Sequence, residues 1–342
     1  MADSSPLPQL DGSTFITDGG METTLIFQEG LELPEFAAFV LLDDEDGLAS
    51  LRSYYAAYVA IAKRHGVGIV LDTPTWRANP DWGARLGYSA EALVDVNRRG
   101  VALLEEVRSA AGIDIVISGC IGPRGDGYVV ADAMSPDEAQ AYHSAQVSTF
   151  AGTSADLVSA LTLNHADEAT GIARAAVAAG IPSVISFTVE TDGRLPSGQE
   201  LRDAVAEVDE ATHAAPAYYM VNCAHPTHFE GVLAEGGLER IRGLRANASS
   251  KSHTELDEAA DLDTGDPDDL AARYRALKPL LPGLNVVGGC CGTDERHIES
   301  ICTAFTGSSV RRIRELAELP ADEEGSLLAD VDGVIADPFE AP

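Results

Sequence analysis

The chain has 342 residues, of which 55 are Asp or Glu and 23 are Lys or Arg, so its formal charge is -32. Such a charge is repelled by nucleic-acid phosphates and by an anionic membrane face, and neither is an expected partner. A hydrophobic share of 45% excludes wholesale disorder, and apolar runs such as 36–42 and 280–287 fall far short of the roughly 20 residues that span a bilayer.

Short β-rich apolar runs recur along the chain, each followed by a turn and a stretch with apolar residues at three- and four-residue spacing. Strands are expected near 15–18, 68–72, 114–119, 157–163, 183–189, 218–222, 241–245 and 285–289. The helices between them are expected at 51–65, 90–110, 136–152, 168–179, 198–207, 227–235, 268–281 and 295–305. Gly66, Gly112, Gly180 and Pro282 read as stop signals, and Ser135 with Glu138 reads as a capping box. Three insertions interrupt the rhythm: a long loop at 28–47, a short hairpin at 123–134, and a polar, acidic stretch at 246–265; residues 255–269 read as solvated surface.

Eight strand–helix units predict a single-domain α/β protein with a (β/α)8 barrel over residues 1–308, followed by an acidic helix and tail at 309–342. A doubly wound open sheet is the alternative. It would want a Gly-rich dinucleotide turn after the first strand, and Asp18-Gly19-Gly20-Met21-Glu22 does not fit GxGxxG. Residues 1–18 are acidic with no basic start, so no secretory signal is expected and the expected location is the cytoplasm. The five cysteines are odd in number, which argues against a disulfide framework.

A barrel of this kind carries its chemistry at the C-terminal ends of its strands. There the chain places Asp18-Gly19-Gly20, Asp72, Asn222-Cys223 and Gly288-Gly289-Cys290-Cys291-Gly292. Cys223 ends the sixth strand, and Cys290 and Cys291 end the eighth. Three thiolates on one rim can hold a Zn²⁺ ion and leave a fourth position open. Neighbouring strand residues face opposite ways, so a shared role for Cys290 and Cys291 needs a turn, for which the flanking glycines leave room. Cys120 and Cys302 read as packing residues.

The stretches Thr17-Asp18-Gly19-Gly20-Met21-Glu22-Thr23-Thr24-Leu25, Val221-Asn222-Cys223 and Gly288-Gly289-Cys290-Cys291-Gly292-Thr293 resemble the signature of homocysteine S-methyltransferases over roughly residues 14–305. The resemblance implies a zinc-dependent barrel with Cys223, Cys290 and Cys291 as ligands. It also implies that Asp18, Gly19, Gly20 and Met21 meet the amino-acid portion of the acceptor. Asn222 would support the metal's surroundings, and Asn247 stands where the family has an asparagine. The implied reaction moves a methyl group from a sulfonium donor, S-methylmethionine or S-adenosylmethionine, to homocysteine. The implied partners are thus a small thiol and a small methyl donor; the oligomeric state is left open.

One departure bears on the acceptor. The family carries a Glu-Thr-x-Pro element at the fourth strand, whose glutamate helps hold the substrate ammonium; the corresponding stretch is Leu161-Thr162-Leu163-Asn164. Glu22, Glu168 and Glu190 are the candidate replacements. Another small thiol or selenol is therefore the first alternative acceptor. A noncatalytic metal- or thiol-binding barrel and a cysteine redox enzyme are readings from other classes. Trp76, Trp82, Tyr88 and Phe39 are candidates for an aromatic pocket around a cationic donor. His165, His225, Asp72 and Arg77 stand at or near strand ends as further polar candidates.

The charge itself makes a prediction. The only lysines are Lys63, Lys251 and Lys278, and an acidic, lysine-poor surface suits a high-salt cytoplasm in which its self-repulsion is screened. The thermal unfolding midpoint is expected to rise in molar KCl; an unchanged or lower midpoint removes the expectation of a salt-loving source.

Overall fold

The apolar runs pair in chain order. In the computed structural model, which describes residues 7–130, 133–259 and 261–307, eight parallel strands close into one barrel. They are β1 (Phe15–Ile16), β2 (Gly68–Asp72), β3 (Ile115–Ile121), β4 (Leu157–Leu163), β5 (Ser183–Phe187), β6 (Tyr218–Asn222), β7 (Ile241–Ala246) and β8 (Val286–Gly289). Phe15 lies opposite both Gly68 and Val286, which closes the ring between β1 and β8. The single-domain (β/α)8 expectation is met. The helix and tail expected at 309–342 lie outside the described residues.

Parallel strands are buried on both faces, so they read as apolar runs, but the alternation of their side chains still sorts the residues. Phe15, Val70, Val116, Leu157, Val184, Tyr218, Met220 and Val286 form one cluster inside the barrel. Their neighbours Ile16, Ile69, Leu71, Ile117, Val158, Ile185, Tyr219, Val221 and Val287 belong to a second, larger cluster under the helices. Two residues further along β1 to β6 the inward positions turn polar: Thr17, Asp72, Ser118, Ser159, Ser186 and Asn222 are all buried. The barrel is thus apolar at its floor and hydrogen-bonding at its C-terminal end.

The helices are α1 (Met21–Phe27), α2 (Glu45–His65), α3 (Pro80–Arg85), α4 (Ala90–Ala111), α5 (Pro136–Ala151), α6 (Ala166–Ala179), α7 (Leu201–Thr212), α8 (Pro226–Ala234), α9 (His253–Asp257), α10 (Pro267–Leu277) and α11 (Glu295–Thr306). Gly66, Gly112 and Gly180 end α2, α4 and α6 in the left-handed conformation, and Ser135 with Glu138 forms the capping box of α5. α10 stops short of Pro282.

Three short helices, α1, α3 and α9, escape the periodicity because one or two turns carry too few apolar positions to show it. The loop at 28–47 contains two 3₁₀ turns, Pro34–Phe36 and Ala38–Asp43, and the first residues of α2. The hairpin expected at 123–134 is not formed: no strand occurs there among the described residues. Asp126 instead accepts the Tyr128 N–H at 2.7 Å in a compact turn, which carries the Tyr128 ring over the end of the barrel.

α5 and α6 pack through Gly171. A Cβ built there would lie 2.4 Å from the Ala139 Cβ and 2.6 Å from the Gln140 nitrogen. Gly171→Ala is therefore expected to lower the unfolding free energy by about 1–3 kcal/mol despite alanine's better helix propensity. Urea denaturation measures this, and an unchanged midpoint would show that the two helices separate freely.

Candidate metal centre and active site

The polar end of the barrel is organised by Arg245 on β7. Its Nη2 donates to Asp18 Oδ1 at 2.5 Å, its Nη1 donates to Asp72 Oδ2, and its Nε donates to the Gly289 carbonyl at 3.1 Å. All three charged side chains are under 10% exposed. Tyr54 from α2 completes the Asp18 carboxylate at 3.0 Å, and Tyr55 donates to the Asp72 carbonyl at 2.8 Å. Burial pushes the Asp18 carboxyl up to about 6 even though the guanidinium beside it pulls the other way; Asp72 is raised for the same reason.

The three cysteines meet beside this cluster. Cys290 Sγ lies 3.1 Å from Cys223 Sγ, and Cys291 Sγ lies 3.5 Å from Cys223 Sγ. All are free thiols. Cys223 has φ +58°, a conformation uncommon for a side-chain-bearing residue. It is held there because its carbonyl accepts three bonds: from His253 Nε2 at 2.7 Å, from Asn247 Nδ2 at 3.1 Å and from Thr188 Oγ1 at 3.3 Å. After Cys291, Gly292 takes φ +78°. Gly288 and Gly289 serve differently from the expected turn. They remain in β8, where a Cβ would strike Thr17 and Thr293 at 2.0 Å or less.

Asn222 ties β6 to its neighbours. Its Oδ1 accepts from the Thr162 N–H at 2.8 Å and from Ser186 Oγ at 2.6 Å, and its Nδ2 donates to Thr162 Oγ1 at 2.8 Å. Thr162 has φ +63° at an irregularity in the β4–β5 pairing, so Asn222 secures a second strained residue. Asn222 Nδ2 also lies 3.9 Å from Cys290 Sγ.

Two residues that the sequence did not single out cover the sulfurs. Tyr128 Oη lies 2.9 Å from Cys223 Sγ, and the Tyr128 ring stacks on His253 with centroids 4.0 Å apart. Burial together with the neighbouring thiols keeps the phenol protonated, so it donates to sulfur. His253 Nδ1 faces Glu190 at 3.2 Å. Within the polar stretch 246–265, α9 thus places His253 behind the cysteine cluster.

These elements surround a cavity of about 470 Å³, a size suited to small substrates. Asp18, Gly19, Gly20, Met21, Asn222, Asn247 and the three cysteines all line it, so the structure brings the whole expected set together. Glu22, Trp76, Arg77, Leu161 and Arg245 line it as well. Other candidates fall elsewhere. Glu168 is sealed against His143 at 2.9 Å and the Arg124 N–H at 2.7 Å. His225 caps α8, where burial pushes its pKa down to about 4. His165 bonds its neighbour Asn164. Phe39 and Tyr88 pack edge to face on each other, and the Arg77 guanidinium lies over both Trp76 and Trp82, of which Trp76 lines the cavity.

The sulfurs fit a metal ion. Bonds of about 2.3 Å to a tetrahedral Zn²⁺ put sulfurs about 3.8 Å apart, and the three Sγ atoms lie within 4.8 Å of one another. Without a cation the thiols share their protons unequally. Interaction with the other two sulfurs lowers the Cys290 thiol, while Cys223 and Cys291 are raised by burial and by their neighbours.

The chain matches the family model described as homocysteine S-methyltransferase over residues 15–305. Among solved structures it resembles the metallated form of the homocysteine methyltransferase MmuM from Escherichia coli, at 22% identity and a TM-score of 0.68, covering 87% of this chain and 99% of that one. The oxidized form of the same protein gives 22% identity and a TM-score of 0.68, covering 84% and 94%. None of the curated proteins matches the sequence.

The Arg245 cluster is testable by stability. Arg245→Met leaves two buried carboxylates without their cation, and a loss of about 3–5 kcal/mol is expected at pH 8. The folded carboxyls bind protons above their unfolded pKa near 4, so native stability is regained as the pH falls through the folded values. The deficit should therefore shrink between pH 8 and pH 5. A pH-independent deficit in guanidinium titrations would show that the side chain stabilises by packing alone.

Proposed function

Because the chain belongs to the homocysteine S-methyltransferase family, we propose that it transfers a methyl group from a sulfonium donor, S-methylmethionine or S-adenosylmethionine, to homocysteine, using Zn²⁺ held by Cys223, Cys290 and Cys291. The observation that carries this reading is the meeting of three thiols at the wall of a cavity sized for small substrates. When bound, Zn²⁺ supplies a Lewis acid that keeps a thiol substrate in its nucleophilic thiolate form at neutral pH.

The chain's own residues supply the rest. Tyr128, His253 and Asn247 fix the Cys223 thiol and carbonyl, and Asn222 holds the β4–β6 end of the cluster. Asp18, Gly19, Gly20 and Met21 form the wall next to Cys290. In the transfer, a sulfur lone pair of the acceptor forms the new S–CH₃ bond as the donor's C–S⁺ bond breaks and its electron pair returns to the donor sulfur. The reaction needs no general base beyond deprotonation of the thiol, so orientation is the main demand. The cavity meets it with a rim of strand ends. Leu161 in the wall favours, as a second reading, a different small thiol or a selenol as acceptor.

The test is zinc content and methionine formation for wild type and Cys291→Ala, with homocysteine as acceptor and S-methylmethionine, S-adenosylmethionine and betaine offered in turn. About one zinc per chain with methionine formed, and both lost in the variant, is expected. Zinc without methionine from any donor would move the acceptor away from homocysteine. Methionine formed by a zinc-free protein would remove the metal from the proposal.

A further inference from the structure

The turn that brings Tyr128 to the sulfurs has little packing of its own. Gly125, Asp126 and Val129 are exposed, so residues 123–129 form a strap that apolar burial does not hold. Its backbone is gripped instead by four buried side chains from other parts of the chain. Asn79 Nδ2 donates to the Pro123 carbonyl at 3.2 Å, and Arg77 Nη1 donates to the Gly125 carbonyl at 3.1 Å. Asn164 Nδ2 donates to the Asp126 carbonyl at 2.9 Å and also faces the Val129 carbonyl at 3.4 Å. Glu168 Oε1 accepts the Arg124 N–H at 2.7 Å.

Glu168 is the anion of the four. Its second bond is to the buried His143, whose Nε2 lies 2.9 Å from the same oxygen. Burial opposes the charge, yet the His143 bond, the Arg124 N–H and the nearby His165 hold the carboxyl below its usual pKa. A carboxylate grips a backbone N–H more strongly than a neutral acceptor does. Glu168 lies outside the cavity wall, so its reach toward the site runs through the strap.

The strap lies close on the barrel and ends on sulfur. A Cβ on Gly127 would come within 2.7 Å of Thr162 Cγ2. The next residue, Tyr128, sets its hydroxyl 2.9 Å from Cys223 Sγ and its ring on His253. Every bond that keeps the strap down therefore also keeps the phenol on that sulfur.

We propose that Glu168 and Asn164 are positioning residues for the sulfur site: they hold the strap closed, so that Tyr128 stays bonded to Cys223 and shields it. The proposal rests on the reading of the three thiols as the reactive centre. Glu168, one of the three candidate glutamates, then acts through the strap and not on a substrate.

The experiment reads the strap without turnover. The metal-free full chain, kept reduced with a phosphine, is alkylated with iodoacetamide, and the rate at each cysteine is followed by peptide mass spectrometry. Cys302, buried under α11, reports opening of the whole barrel, whereas Cys223 reports the strap. The variants are Glu168→Ala, Glu168→Gln, Asn164→Ala, Tyr128→Ala and Glu168→Ala combined with Tyr128→Ala.

Glu168→Ala is expected to speed alkylation of Cys223 by about 10- to 100-fold, the effect of one lost charge-assisted hydrogen bond on the open population. Asn164→Ala, which leaves the buried acid in place, is expected to speed it by about 3- to 10-fold. Glu168→Gln keeps an oxygen for the Arg124 N–H and retains most of the protection. Tyr128→Ala opens Cys223 outright, and Glu168→Ala adds nothing in that background. In the zinc-loaded protein, kcat/KM for methyl transfer is expected to fall in the same order of variants.

An unchanged Cys223 rate in both Glu168→Ala and Asn164→Ala overturns the proposal. So does an equal rise at Cys302, which marks a loosened barrel, or a full further rise in the Tyr128→Ala background. A faster Cys223 with kcat/KM unchanged overturns it as well, because the strap then serves nothing at the site. If wild type transfers no methyl group from any donor, the proposed function fails while the alkylation rates still decide the strap.

Discussion

One buried guanidinium draws four strands together. Arg245 leaves β7, grips Asp18 just beyond β1 and Asp72 at the end of β2, and donates to the Gly289 carbonyl of β8. Each carboxylate alone would be costly at this depth, and so would the guanidinium. Together they form a charged knot that is satisfied only when the strands keep their places. The knot is supported from outside by the Tyr54 and Tyr55 hydroxyls of α2, while Tyr274 of α10 donates to the Gly288 carbonyl at 2.6 Å and accepts the Ala246 N–H at 2.8 Å. Cys290 follows Gly289 directly and donates its N–H to the Ala246 carbonyl at 2.9 Å. Two of the three sulfurs are therefore positioned by the same strand ends that the guanidinium holds.

The third sulfur is positioned by strain. Cys223 at φ +58° and Thr162 at φ +63° lie in a region that costs side-chain-bearing residues on the order of 1 kcal/mol or more each. Both are over-determined by hydrogen bonds. Three donors converge on the Cys223 carbonyl, and the Asn222 amide brackets Thr162 at nitrogen and hydroxyl. The left-handed turn at Cys223 places its sulfur within hydrogen-bonding distance of both Cys290 and Cys291.

The sequence discloses the barrel because strands buried on both faces leave uninterrupted apolar runs, and the runs at 157–163 and 218–222 coincide with β4 and β6. It discloses the sulfur cluster because the barrel's C-terminal rim converts strand order into proximity, so Cys223 and Cys290 need no spacing motif to meet. What it hides is whatever depends on radial depth or on a loop folding back. Arg245 reads as one more strand end, and nothing local reveals that it faces two acids from the opposite end of the chain. Tyr128 sits in a turn, and His253 lies in a stretch whose acidity suggests solvent; both reach the cysteines only through tertiary packing. Glu22 reads as one of three candidate glutamates, and only the structure shows that it lines the cavity while Glu168 is sealed against His143.

The cysteine cluster and the Arg245 knot solve the same electrostatic problem in different ways. In the knot, a guanidinium stabilises two carboxylates permanently. In the cluster, no cationic side chain bonds any of the three sulfurs among the described residues, and only Cys290 is lowered while Cys223 and Cys291 are raised. A dication seated among them would displace the remaining protons, so metal uptake is coupled to proton release and weakens as the pH falls. The guanidinium keeps Asp18 and Asp72 from adding uncompensated negative charge beside the thiols. On this argument the neutralised acids are a precondition for the sulfur site.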